Sequence, residues 1–364
     1  MRLSLAMIVR NNEDVLGQTL ESVKGIVDEI VIVDTGSTDG TKEVAEKHGA
    51  IVYEFEWIDD FSAARNFSFE KTTGDWIMWL DSGDVLPPDT IQEWKTLRLI
   101  LADPKNTFEG LMVRMNRIID PRGDVLQWYY ICRIARRTAN PIWVEPIHET
   151  IATDKNNFTI VEGPRVHDPL AFYQGVSDRN LNILLRLKEK GNVTSRTHYY
   201  LGQELVAHKR FDEAELEFRG VLDSKDFTYQ RYVSLLNLSK IARIKNDLGK
   251  SVEWLQQAMF FDPTRPDAFI WMGDIFFDQE GWLKAIPFYK ATIGMKVIRD
   301  GAPTQDPYYA YYPWGKLGFC YLNLGEIKEA ISCFREAEKT SFGSIRENYK
   351  GLIKELNVQR KKTK

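Results

Sequence analysis

Three clusters of acidic, hydroxyl and basic residues follow or precede short apolar runs, where a sheet protein presents its chemistry. The first, DTGSTDGT from Asp34 to Thr41, follows the run Glu29–Val33. A carboxylate at a strand end can accept hydrogen bonds from a nucleobase or ribose. The glycines allow close backbone approach, and Ser37, Thr38 or Asp39 can cap the next helix. A well-capped strand–turn–helix without a ligand would carry the same residues. The second cluster, DDFSAARN from Asp59 to Asn66, precedes a helix. Arg65 there can neutralise a diphosphate, because a guanidinium matches phosphate oxygens in pairs; a surface pairing with Asp59 or Asp60 is the plainer alternative. The third, WIMWLDSGDVL from Trp76 to Leu86, sets Asp81 and Asp84 three apart beyond an apolar strand. Paired carboxylates beside a nucleotide diphosphate can hold Mg²⁺ or Mn²⁺, whereas a plain strand exit favours the same Asp, Ser and Gly composition.

Further along, WVEPIHE places His148 beside Glu149. A direct displacement leaves the nucleophile's proton to be removed, and either residue can act as the base. The bland alternative is a local Glu149 salt bridge with His148 packed under Trp143. His167 reads equally as a ligand or as a strand-end histidine. His48, next to Gly49, reads as a helix C-terminal residue, and His198 and His208 as packing or surface residues. Trp57, Trp79 and Trp128 could stack on a sugar, although cores use tryptophan for bulk more often.

Positioning these residues takes an alternation of strands and helices. Leu3–Val9, Glu29–Val33, Ala50–Phe55 and Trp76–Leu80 read as strands, and Val15–Val23 and Thr41–His48 as helices. Such alternation predicts a mostly parallel, Rossmann-like α/β sheet with ligands beyond the carboxyl ends of its strands, where Asp34 and Asp81 fall. From about residue 171 the pattern turns helical and repeats. The small residues Gly202, Ser239, Gly273 and Gly318 lie 37, 34 and 45 apart, against the 34 of a tetratricopeptide repeat. Trp314, Leu317-Gly318, Tyr321, Ala330, Phe334 and Ala337 fit that repeat best, and the long last gap falls on Arg299–Tyr312. The expected organisation is therefore an α/β domain over 1–170, a connecting helix over 171–194, about four repeats forming an all-α solenoid over 195–345, and a C-terminal helix with a basic tail over 346–364.

Composition excludes several classes. The 364 residues carry 48 basic and 52 acidic side chains, a net charge of −4, with 43% hydrophobic residues. That is too apolar for a disordered chain and lacks the basic excess of a protein that coats nucleic acid, so nucleic acid is disfavoured as a partner. Cys132, Cys320 and Cys333 form no CxxC, which suits a reducing, cytoplasmic compartment. No apolar run reaches the roughly 18 residues of a membrane span. Leu3–Val9 lacks a signal peptide's length and cleavage site, and a buried first strand is the better reading.

The order DTGSTDGT, DFSAARN, WIMWLDSGD resembles family 2 glycosyltransferases of the GT-A fold. With the repeats it is similar to the bacterial subset that glycosylates peptides or proteins, including sublancin-type S-glycosyltransferases and flagellin O-GlcNAc transferases. The resemblance implies that Asp34 contacts the uridine of a UDP-sugar and Arg65 its diphosphate. It implies that Asp81 opens the DXD motif, that His148 and Glu149 face the acceptor, and that His167 completes the shell of a divalent metal, Mn²⁺ or Mg²⁺. A stretch from His167 through Tyr173 to Arg179-Asn180 also matches the family. The sequence departs from the motif at Gly83, where a carboxylate is usual. Either Asp84 takes over as ligand, or Asp81, His167 and the diphosphate hold the metal, or metal dependence is weakened. The activity expected is inverting transfer of a hexose or N-acetylhexosamine to Ser, Thr or Cys of a peptide or protein held by the repeats. A surface glycan, lipid or modified DNA base as acceptor, and a degenerate nucleotide-sugar-binding scaffold, are the alternatives; a homodimer is left open.

Overall fold

The computed structural model describes residues 1–119, 125–169, 177–191, 193–224, 228–298 and 304–362. Tyr173, the expected boundary at 170, the start of the Arg299–Tyr312 insertion and Lys364 lie outside them. The chain forms two compact units. Among the described residues, one takes in 1–119 and 127–169, and the other 177–298 and 304–362. No helix among these residues is long and apolar enough to cross a membrane.

In the first unit the elements run β1 (Leu3–Val9), α1 (Glu13–Ser22), β2 (Glu29–Asp34), α2 (Thr41–Lys47), β3 (Ile51–Glu54), α3 (Phe61–Lys71), β4 (Trp76–Trp79), α4 (Ile91–Ala102), β5 (Gly110–Ile119), β6 (Val125–Arg136), β7 (Ile142–Val144), β8 (Thr150–Ala152) and β9 (Phe158–His167). The main sheet carries the strand order β3-β2-β1-β4-β6-β5-β9, and β7 and β8 form a separate antiparallel pair. The first four strands are parallel, as strand–helix alternation predicts, while β6 lies antiparallel to β4. Register puts Val9 opposite Asp34 and Ala6 opposite Trp79. The turns after β1, β2 and β4, carrying Asn11, Asp34 and Asp81, therefore emerge at one edge. Apolar side chains on both faces of β1 hold this register: Leu3, Leu5, Met7 and Val9 pack with Leu16, Leu20, Trp94 and Leu97, while Ala6 faces Phe69, Ile77 and Trp143. A strand buried on both faces reads as a continuous apolar run, which is what LSLAMIV is.

The second unit opens with α5 (Asp178–Glu189). Four helix pairs follow: α6 (Ser195–Ala207) with α7 (Phe211–Leu222), α8 (Thr228–Ile244) with α9 (Leu248–Phe261), α10 (Asp267–Asp278) with α11 (Trp282–Thr292), and, after a short α12 (Asp306–Tyr309), α13 (Tyr311–Asn323) with α14 (Ile327–Thr340). The last helix, α15, spans Gly343–Lys362 and starts before the expected 346. The small residues of the repeat are where one helix of a pair meets the other's largest side chain. A Cβ on Gly202 would stand 2.8 Å from Phe218, one on Gly273 2.7 Å from Tyr289, and one on Gly318 would run into Phe334. In the second pair Ser239 and Ser251 hydrogen-bond at 2.8 Å. Cys320 and Cys333 are buried in this core, and burial pushes both thiols up to about 11. Overpacking a filled seam costs about 1–3 kcal/mol, so Gly318→Val is expected to lower the thermal midpoint of the repeat unit by several degrees. Differential scanning fluorimetry of that variant checks it.

Candidate active site

At the carboxyl edge of the sheet the loops after β1 and β2 are tied together. Asn11 Oδ1 accepts from the Thr38 amide at 2.8 Å, and the Asn11 amide donates to Ser37 Oγ at 2.9 Å. Glu13 Oε2 accepts from the Gly40 amide at 2.7 Å, and Thr41 Oγ1 from the Asn12 amide at 2.7 Å. None of the three candidates is the cap residue of α2, which is Gly40, but the Asp39 carboxylate takes the Thr41 amide at 3.1 Å. Inside this cradle sits Asp34, 1% exposed. Its Oδ1 accepts the Gly36 and Ser37 amides, both at 2.9 Å, across a turn that Gly36 makes at φ +101°, a left-handed value favouring glycine. Among the described residues its Oδ2 is buried with no hydrogen-bond partner. A buried carboxylate oxygen with no donor costs free energy.

Arg65 differs most from expectation. Its side chain is 6% exposed, too deep for the surface pairing with Asp59 or Asp60 that was the plainer reading. Nη2 donates to Asp81 Oδ1 at 2.6 Å and Nε to Glu149 Oε1 at 2.5 Å. The guanidinium lies 4.6 Å from the Trp79 ring and 4.8 Å from the Trp143 ring. Desolvation works against its charge, but Asp81 and Glu149 more than offset it and hold its pKa above the usual value. One arginine thus joins the carboxylate beyond β4 to the one in the β7–β8 loop. Asp81 remains half open, with 53% of its side chain exposed, while Glu149 shows 11%. The turn that aims Glu149 is unusual: Glu145 and His148 both have left-handed backbones, at φ +75° and +53°, a conformation rare outside glycine and often found at functional loops.

Two expected ligands are engaged elsewhere. Asp84 is a correction: its side chain is 2% exposed, and Oδ2 takes both Arg133 Nη2 at 2.9 Å and the Asp81 amide at 3.0 Å. Burial pushes its carboxyl up, against the pull of Arg133. Asp84 therefore shapes the loop from below and does not face a nucleotide-sugar. Gly83 has φ +103° and donates its amide to Thr19 Oγ1 at 2.9 Å. An aspartate there would strain this turn, which is the physical counterpart of the missing motif acid. His167 does reach the site's rim, because its backbone exchanges two 2.9 Å hydrogen bonds with Val85. Its Nε2, however, meets Asn116 Nδ2 at 2.8 Å, and burial, with Arg165 and Arg114 nearby, lowers its pKa. With Asp84 and the His167 lone pair both occupied, the side chains do not fit a preformed metal centre. Among the described residues no group of three His, Cys, Asp or Glu could hold one.

The remaining candidates are structural. Trp79 and Trp128 are buried, and Trp57 donates to Asp59 at 3.0 Å. Cys132 is buried in β6, its thiol pushed up to about 12 by desolvation. His198 pairs with Glu217 at 2.7 Å and His208 with Asp178 at 3.0 Å. The sequence argument gave no role to Asn66 or Arg133. Arg133 is 1% exposed, lies 3.9 Å from the Trp79 ring and anchors Asp84. A lone arginine inside the apolar run Trp128–Ile134 was the available signal.

Residues 4–105 match the model of Glycosyl transferase family 2, and residues 311–341 that of a tetratricopeptide repeat. A TPR repeat-containing protein of Synechococcus elongatus is 37% identical over 150 residues, covering 41% of this chain and 35% of that protein. An uncharacterized glycosyltransferase of Rickettsia bellii is 24% identical over 289 residues, covering 72% of this chain and 95% of its own. The SPbeta prophage-derived glycosyltransferase SunS of Bacillus subtilis is 34% identical over 86 residues, covering 23% and 20%. The chain spans about a third of the length of the first curated relatives it matches. MamA superposes with a TM-score of 0.37 at 18% identity, over 44% of this chain and 85% of MamA, a likeness too slight to bear on function.

Proposed function

We propose that this chain, which carries a family 2 glycosyl transferase domain and tetratricopeptide repeats, transfers a hexose or N-acetylhexosamine from a UDP-sugar to Ser, Thr or Cys of a peptide or protein. The observation that carries the donor half is the buried Asp34 Oδ2 without a partner at the carboxyl edge of the sheet. Uracil and ribose both offer the N–H or O–H that this oxygen lacks. Asp81, half open to solvent beside Arg65, stands at the diphosphate end of the site, where a carboxylate and a diphosphate approach each other only with a cation between them. Glu149, held in the same ion cluster, is the base that takes the acceptor's proton as its oxygen or sulfur attacks the anomeric carbon. Direct attack with departure of the diphosphate inverts that carbon. The repeats supply the acceptor-binding surface, since such stacked helix pairs are built to hold extended partners.

Isothermal titration of the intact protein with UDP, and a hydrolysis screen over UDP-glucose, UDP-galactose and UDP-N-acetylglucosamine with and without Mn²⁺, test the donor half. Asp34→Asn is expected to weaken UDP binding by about tenfold to a hundredfold, because losing a charge-assisted hydrogen bond costs roughly 1.5–3 kcal/mol. Wild-type protein that neither binds UDP nor hydrolyses any of these donors would refute the proposal. Intact-mass analysis of candidate polypeptide, glycan and DNA acceptors decides the other half.

A further inference from the structure

The donor-side and acceptor-side halves of the site are joined by a single helix, α3. Its first amide, on Phe61, donates to Pro146 O at 2.8 Å. Arg65 spans Asp81 and Glu149 as described. Between them in function stands Asn66, which no part of the chemistry above uses. Its side-chain amide closes a two-bond ring on the main chain of Trp143: Asn66 Nδ2 donates to Trp143 O at 2.9 Å, and Trp143 N donates to Asn66 Oδ1 at 2.7 Å. In the β7–β8 pair Trp143 stands opposite Ile151. An antiparallel strand alternates which edge each residue's N–H and C=O address. The Asn66 amide therefore occupies the place of a neighbouring strand on the outer edge of β7. Two and five residues beyond Trp143 the chain turns through left-handed positions, at Glu145 and His148, and delivers Glu149.

Resting on the transferase reading above, we infer that Asn66 is a positioning residue. It sets the height of the Trp143–Glu149 loop on α3, so that Glu149 meets Arg65 while Arg65 holds Asp81. No other side chain of α3 can replace it, because only an amide offers a donor and an acceptor side by side. The ion pairs alone do not fix that height, since a guanidinium can follow a carboxylate through a range of geometries. Fixing the Trp143 main chain removes that freedom.

The test is Asn66→Ala in the full-length protein, with Asn66→Asp beside it. Aspartate keeps the volume and the bond from Trp143 N but sets an oxygen against Trp143 O, so it carries the same test should the alanine variant not fold. A displacement of the base by about 1 Å costs on the order of 100-fold in rate. For Asn66→Ala the kcat of UDP-sugar hydrolysis is expected to fall by about that factor, while the UDP affinity stays within about twofold. Asn66→Asp should fall between it and the wild type. Hydrogen exchange over residues 142–152 should accelerate by roughly tenfold in the alanine variant, with residues 29–41 unchanged. Equal losses in UDP affinity and kcat would mark a merely structural residue, and unchanged kcat or unchanged exchange over 142–152 would overturn the inference outright. Inactive wild-type protein defeats the transferase reading instead, and the exchange pattern then decides the Asn66 coupling by itself.

Discussion

Arg65→Met is expected to eliminate turnover and to destabilise the first unit together. Methionine fills much of the space between Trp79 and Trp143 but leaves Asp81 and the nearly buried Glu149 facing each other with no cation. Breaking a buried ion pair by removing one partner costs about 3–5 kcal/mol, which in a unit of this size corresponds to a fall of roughly 10 °C in the thermal midpoint. Transfer and donor hydrolysis should fall at least about a thousandfold, since both the diphosphate-side carboxylate and the base lose their anchor. Arg65→Lys should not restore activity. Lysine keeps the charge and three donors but places them all on one nitrogen, so it cannot reproduce the planar fork whose separate Nε and Nη2 reach Glu149 and Asp81 here. Near-wild-type turnover in the lysine variant would show that the two bonds are not what matters. So would a methionine variant with an unchanged midpoint.

Glu149→Gln should separate binding from chemistry. Glutamine keeps the shape and can no longer take a proton, so a general base lost at this point costs about 10²–10⁴ in kcat. UDP affinity is expected to stay within about twofold, because Asp34 and Asp81 are untouched. Single-turnover measurement of UDP-sugar consumption, paired with UDP titration, reads both quantities. An unchanged kcat would transfer the role of base to another residue, with His148 first in line. A large loss of UDP affinity would place Glu149 on the donor side.

Much of the parallel part of the sheet and its carboxyl edge was legible in the sequence because local rules write it. LSLAMIV and EIVIVD are apolar runs of strand length closed by turn residues, and the observed strands Leu3–Val9 and Glu29–Asp34 follow them closely. Asp34 lies at the end of one and Asp81 just beyond another, and parallel strands with helical crossovers bring such ends to one edge. The repeat was legible for a similar reason. Gly202, Gly273 and Gly318 each abut an aromatic of the paired helix, so the small residue and its partner recur at constant spacing.

The antiparallel part of the sheet was not legible. Trp128–Ile134 was seen as apolar, yet its place beside β4 depends on long-range pairing that no local pattern encodes. The same holds for the chemistry of Arg65 and Asp84. Sequence spacing offered a diphosphate or a surface pairing for one and a ligand role for the other, and it did not reveal that both are buried. Their partners, Glu149 and Arg133, lie far along the chain, and a charge declares its role only when the group that neutralises it is known. Gly83 shows the reverse: as a letter it was a missing acid, and as a backbone it is a left-handed turn.

By itself, then, the amino-acid sequence determined the parallel strands, that the helical half repeats, and which turns carry acids, because propensity, periodicity and turn chemistry act over a few residues. Tertiary structure alone decided which of those charges face outward. Asp34 keeps an unsatisfied oxygen, Asp81 stays open, and Asp84 and Arg65 are consumed in ion pairs. Burying a charge is tolerated only where an opposite charge meets it, and that meeting is a property of the folded chain.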